Sequence, residues 1–151
     1  MTKIVVSGCL LGFPCRYDGK DCYLEKIEEL KEKHTLIPVC PEQMGGLPTP
    51  RHPSEIQGDK LMNNIGEDVT ENYRIGANTA LCIAKMNHVQ CALFKQKSPS
   101  CGHGVIYDGT FTGTKIPGNG VTAQLFEKYG IRVFSEDEFE DLKEFIDKYT
   151  D

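Results

Sequence analysis

Short β-branched runs alternate along the chain with stretches whose apolar residues recur every three or four positions. Lys3-Ile4-Val5-Val6-Ser7 is the first such run; it ends in small residues and reads as a strand buried on both faces. Between Leu24 and His34 the residues Leu24, Ile27 and Leu30 fall at helical spacing among glutamates and lysines, and Thr35-Leu36-Ile37-Pro38-Val39 follows as a second strand. Pro38 has no amide proton to give a ladder, which predicts a place at or near the sheet edge. Residues 70–87 read as an alanine-rich helix with Ile75, Thr79, Cys82, Ile83 and Met86 on one side, and Gln90-Cys91-Ala92-Leu93-Phe94 as a third buried strand. Thr122 to Tyr129 is a short helix and Ile131-Arg132-Val133-Phe134 a fourth strand. Ser135 with Glu138 three residues on makes a capping box, which opens a last helix whose core face is Phe139, Leu142, Phe145, Ile146 and Tyr149.

This alternation predicts an α/β fold: a single-domain Rossmann-like sandwich over residues 1–151, with a mostly parallel sheet and helices on both faces. In such a sheet the loops leaving the strand ends gather on one edge, where ligands bind at the switch in strand order. Two connections, 41–69 and 95–121, are long for a compact domain, and loops of that length tend to carry function. A hairpin is expected through Gly58-Asp59, and an Asp108-Gly109 turn within the alternating run from Val105 to Phe111.

Composition adds one anomaly. The formal net charge of -5 argues against a general nucleic-acid binder, and no window approaches the roughly 18 apolar residues of a membrane span. Val6-Ser7-Gly8-Cys9 resembles a lipoprotein processing site, but it lacks a preceding apolar stretch of signal length, so the start reads as mature protein. The anomaly is seven cysteines, an odd number without a CxxC pair, which fits a reducing cytoplasm better than a disulfide scaffold.

On the predicted frame the thiols separate. Cys82 and Cys91 fall inside a helix and a strand, where a small buried hydrophobe is expected; Cys22 precedes a helix without an obvious partner. Cys9, Cys40 and Cys101 each follow a different strand, so a parallel sheet brings them together. Cys15 shares the loop of Cys9. Three thiolates among glycines suit a soft metal or an iron–sulfur cluster, and three ligands to a four-iron cluster leave one iron open. Structural zinc more often takes four ligands from close-set pairs. Convergence alone does not choose among a cluster, a catalytic thiol and a chance grouping.

Particular words in the sequence go further. Ser7-Gly8-Cys9-Leu10-Leu11-Gly12, Cys15-Arg16-Tyr17-Asp18-Gly19, Pro38-Val39-Cys40-Pro41-Glu42, Gly45-Gly46-Leu47-Pro48-Thr49-Pro50-Arg51 and Lys97-Ser98-Pro99-Ser100-Cys101-Gly102 together resemble the thiouracil desulfurase family. The resemblance covers nearly the whole chain. It implies a cytoplasmic enzyme that holds a 4Fe-4S cluster on Cys9, Cys40 and Cys101 and converts 2-thiouracil or a related thiolated pyrimidine into uracil and sulfide. It also implies Glu42 as the acid or base and Ser98 as its hydroxyl partner. Cysteine at position 15 departs from the family pattern, where the residue is often apolar. Cys15 could replace a ligand, occupy the fourth iron or pack.

The chemistry agrees with these roles. A thiocarbonyl sulfur is soft and suits an open iron, which would drain charge from the pyrimidine C2. Water must then lose a proton, and Glu42 lies two residues after a proposed ligand, within reach of the same pocket. Ser98 or Ser100 could exchange a proton with the ring nitrogen, although serines in Ser-Pro-Ser commonly cap a turn. Arg16, with Ser100, is the expected contact to substrate; Arg51, Lys95 and Lys97 carry weaker expectations of the same kind. Asp18 and Asp108 are expected turn formers, His52 and His103 surface residues, and His34 and His88 helix closers whose charge suits the dipole. The alternative to an enzyme is a binding protein that holds a metal or cluster without turnover. A small-molecule substrate and no membrane or strong nucleic-acid partner are expected.

Overall fold

Ile4, Val5 and Val6 are wholly buried in the computed structural model, which describes residues 2–149, with the side chain of Tyr149 outside the description. They belong to β1 (Lys3–Ser7). Three further strands pair with it in parallel, β2 (Thr35–Val39), β5 (Cys91–Phe94) and β8 (Arg132–Ser135), in the order β2-β1-β5-β8. Pro38 stands on the edge strand, as its missing amide requires.

The strands alternate between two cores. Ile4, Val6, Cys91, Leu93 and Phe134 face α1 (Ile27–Lys33) and α5 (Phe139–Tyr149), where they meet Ile27, Leu30, Phe139, Leu142 and Ile146. Val5, Ala92, Phe94 and Val133 face the opposite layer of α3 (Thr70–Met86) and α4 (Val121–Lys128), packing on Ala80, Leu81, Ala84, Ala123 and Phe126. The protein is therefore an α/β sandwich with a parallel sheet covered on both faces. Ser135 and Glu138 form the capping box, with a short 3-10 turn at Glu136–Glu138 before α5.

Each long connection contains a hairpin. β3 (Ser54–Gln57) and β4 (Lys60–Asn63) pair antiparallel around Gly58-Asp59. β6 (His103–Tyr107) pairs with β7 (Lys115–Asn119), so Asp108-Gly109 opens a seven-residue loop, 108–114, rather than forming a two-residue turn. The first of the two connections, 41–69, also holds α2 (Pro41–Met44), a single turn whose first residue is proline, in the position where a missing amide is harmless.

Helix α3 turns a different face to the core than its large apolar residues predict. Its buried side is Tyr73, Gly76, Ala77, Ala80, Leu81 and Ala84, whereas Ile75, Met86 and Cys82 are exposed. The reason is proximity: α3 packs closely on α2 and α4, so glycine and alanine fill much of its buried side, with Tyr73 and Leu81 as the large residues there. Cys91 is buried as expected; Cys82 is not a core filler. His34 does cap α1, its amide donating to the Leu30 carbonyl, but burial holds its imidazole below the usual histidine range and works against the expected cation.

Candidate functional site

The sheet reverses its strand order at β1, which has β2 on one side and β5 on the other. The C-terminal ends of these three strands open into one cavity of about 640 Å³, within the size range of small-molecule sites. β1 delivers Ser7, Gly8 and Cys9; β2 delivers Cys40, Pro41 and Glu42; β5 delivers Lys95 to Pro99 and Cys101. Cys9, Cys40 and Cys101 thus meet although 31 and 61 residues separate them in turn. Cys15 and Cys22 line the same cavity, so five of the seven thiols face it. Cys22, which had no partner in the sequence, accepts a hydrogen bond from Arg16 Nη1 at 3.6 Å.

The local turns explain the placement. After Ser7 the chain winds into a short 3-10 turn, Gly8–Leu11, closed by Gly12 in the left-handed conformation at φ 97°. The Cys9 carbonyl then accepts the amide of Cys22 at 2.9 Å, folding the whole loop back over β1. Cys40 is the residue before α2, and Glu42 lies in that helical turn. At the third corner the Ser98 hydroxyl accepts the amides of Ser100 and Cys101 at 3.1 and 3.0 Å, and the Gly102 amide bonds back to the Ser98 carbonyl at 2.8 Å.

Glu42 is held from several sides. Arg51 Nε donates to its Oε1 at 3.0 Å and the Tyr73 hydroxyl donates to the same oxygen at 2.8 Å, while the Ser98 hydroxyl stands 3.5 Å from Oε2. Arg51 is 5% exposed and Glu42 15%. Burial and then the charge of Glu42 push the Tyr73 hydroxyl far above the usual tyrosine range, so it remains a donor.

Burial and hydrogen bonding favour the protonated form of Cys40 and Cys101. Burial pushes Cys101 up to about 12, and a hydrogen bond with Cys15, then burial, raises Cys40 strongly. A nucleophilic cysteine needs the opposite, and among the described residues no histidine lines the cavity. A metal held at these positions would release protons, since the thiolate is the ligand. Among the described residues, no three His, Cys, Asp or Glu side chains stand close enough to hold a single metal ion. A soft donor set spread around a cavity instead fits a polynuclear cluster, in which each thiolate binds its own iron.

The other expected residues separate cleanly. Arg16 lines the cavity, 5.4 Å from the Tyr17 ring centroid and 3.6 Å from Asp18. Ser100 does not: it is fully buried, its hydroxyl bonded to Thr122 Oγ1 at 2.6 Å, and it anchors the start of α4. Lys95 is paired with Glu136 at 3.0 Å. His103 is not a free surface group, since Nδ1 lies 2.7 Å from Glu138 and Nε2 3.4 Å from Glu127. Asp18 and Asp108 accept the amides of Lys20 and Thr110, as turn formers do. Tyr73 is the residue that the sequence pattern hid. Its signal was the small-residue face of Gly76, Ala77 and Ala80, which marks the buried side of α3.

Comparison with known proteins agrees with this geometry. Residues 4–138 match the model of a family described as 2-thiouracil desulfurase. A Bacillus subtilis (strain 168) protein named YbbK, described as uncharacterized, is 45% identical, the match covering 92% of this chain and 99% of that protein. A solved structure of the [4Fe-4S]-dependent thiouracil desulfidase TudS superposes with a TM-score of 0.93 at 42% identity, covering 97% of this chain and 99% of that one. With the family's model spanning all three cysteine loops, and a relative of known structure sharing the fold nearly end to end, the chain belongs to the 2-thiouracil desulfurase family.

Proposed function

We propose that this protein is an iron–sulfur-dependent thiouracil desulfurase, which hydrolyses 2-thiouracil or a related thiolated pyrimidine to uracil and sulfide without net electron transfer. A 4Fe-4S cluster would be held by Cys9, Cys40 and Cys101. The observation that carries the reading is the convergence of these three thiols, from three separate strand ends, on the cavity that also holds Glu42 and Ser98. When bound, the cluster supplies a Lewis-acidic iron for the soft sulfur of the substrate.

The chain's own residues supply the rest. Glu42 accepts the proton of the water that attacks C2, and the carbonyl oxygen of uracil comes from that water while sulfur leaves as hydrosulfide. Ser98 stands beside Glu42 Oε2 and hands a proton between the carboxylate and the ring. Arg16 at the wall of the cavity holds the pyrimidine. Phe111, Tyr107 and the proline rings of Pro41 and Pro99 give that cavity an apolar lining, which limits stray water. The whole of residues 1–151 serves as one desulfurase domain. Among the described residues no helix is long and apolar enough to cross a membrane. Together with free thiols and a net charge of -5, this supports a cytoplasmic enzyme acting on a small molecule.

The test is the visible spectrum of anaerobically reconstituted protein, with and without 2-thiouracil, beside that of a Glu42→Ala variant. The reading predicts a brown protein whose spectrum shifts with substrate and a variant that keeps its colour but not its turnover. A variant that still desulfurates at the native rate would remove Glu42 from the mechanism. A brown protein without any turnover would leave a cluster-holding protein instead.

A further inference from the structure

Arg51 and Tyr73 converge on one oxygen of Glu42. Both donate to Oε1, at 3.0 and 2.8 Å, and they arrive from unrelated parts of the chain, a loop and the buried face of α3. Among the described residues Oε2 accepts only the longer bond from the Ser98 hydroxyl, at 3.5 Å. A carboxylate fixed in this way presents one defined oxygen and one defined lone-pair direction to the cavity.

Arg51 itself is tied down. Its Nη1 donates to Thr49 Oγ1 at 2.9 Å and to the Pro48 carbonyl at 3.3 Å, and its Nη2 donates to the Cys15 carbonyl at 3.0 Å. Its backbone amide bonds to the Tyr17 carbonyl at 2.8 Å. The guanidinium therefore spans two of the cavity's loops, and its orientation follows from both.

We infer that Arg51 and Tyr73 are positioning residues for the desulfuration: by saturating Oε1 they make Oε2 of Glu42 the oxygen that takes the water proton. The inference rests on Glu42 being the base. A loosely held carboxylate could rotate and exchange its oxygens, and a displacement of about 1 Å at a reacting group can cost up to about 10²-fold in rate. Arg51 and Tyr73 line the cavity but spend the donors named above on Glu42, so the loss falls on kcat far more than on KM.

Tyr73→Phe is the cleanest test, because it keeps the buried ring and removes only the hydroxyl. The expected result is unchanged iron content, KM within about twofold and kcat lowered between about tenfold and 10²-fold. Arg51→Ala is measured beside it, with guanidinium added to the assay; the inference expects the added cation to restore part of kcat, which a loosened fold would not permit. If Arg51→Ala fails to load iron, Tyr73→Phe decides alone. The inference is overturned if Tyr73→Phe keeps the native kcat while Glu42→Gln abolishes turnover. If Glu42→Gln itself retains the native rate, the reading of Glu42 as base fails first, and the two failures are told apart by that variant.

Discussion

Gly76 of α3 lies directly against Pro41 of α2: a Cβ placed on Gly76 would stand 1.8 Å from the Pro41 carbonyl oxygen. The contact is reciprocal in kind, since a Cβ on Gly45 would stand 1.9 Å from the Asn72 carbonyl oxygen. Backbone-to-backbone packing of this sort fixes α2, and with it Cys40 and Glu42, over the buried face of α3. Gly76→Ala must push the two helices apart. It should cost about 1–3 kcal/mol of stability and reduce both iron loading and turnover, as read by thermal unfolding and iron per chain. Native values for all three would show that α2 has room to move.

Ser100 separates packing from chemistry. Ser100→Ala removes the 2.6 Å bond to Thr122 and leaves that buried hydroxyl without its partner, at a cost of about 1–3 kcal/mol. Because Ser100 does not line the cavity, KM for 2-thiouracil should stay at the native value. A raised KM with unchanged stability would return Ser100 to the binding site.

Two cysteines away from the cavity give opposite outcomes. Cys82 is exposed, and Cys82→Ser should change stability by less than about 0.5 kcal/mol. Cys91 is fully buried in the sheet, so Cys91→Ser places a hydroxyl in the core and should cost about 1–3 kcal/mol. Neither change should alter the number of irons bound per folded chain. Denaturant unfolding with iron analysis measures both.

These contrasts also mark how far the sequence could be read. The succession of strands and helices along the chain, and a sheet covered on both faces, followed from short runs such as Lys3–Ser7, because burial on both faces leaves an unbroken apolar signature. The three cysteine loops followed from that order. The face of α3 did not, because the rule that large apolar residues point inward fails where helices touch at glycine and alanine. Cys82 and Tyr73 were misplaced or overlooked for that one reason. The grip on Glu42 was equally hidden, since Arg51 and Tyr73 lie 9 and 31 residues from it and meet only in the folded chain.

Glu55 ties the loop 108–114 to the rest of the site. Its Oε1 accepts the amides of Gly109 at 2.9 Å and Phe111 at 3.2 Å, and Gln57 adds a bond to the Gly109 carbonyl at 2.7 Å. Phe111 in turn lines the cavity, with its backbone at a positive φ of 57° that these bonds hold in place. Glu55→Ala should free the loop and raise KM by about tenfold, a loss of roughly 1.4 kcal/mol in binding, with iron content unchanged. Steady-state kinetics on the reconstituted variant would show it, and an unaltered KM would mean that the loop plays no part in holding substrate.

If Cys9, Cys40 and Cys101 carry a cluster with which this fold removes sulfur from a pyrimidine, both products depend on that cluster. The decisive quantity is the yield of uracil and sulfide from 2-thiouracil, measured anaerobically with reconstituted protein and with Cys101→Ser treated alike. About four irons per native chain, uracil and sulfide in equal amounts, and neither product from the variant are expected. Desulfuration at the native rate by the variant, or by native protein stripped of iron, would contradict that dependence.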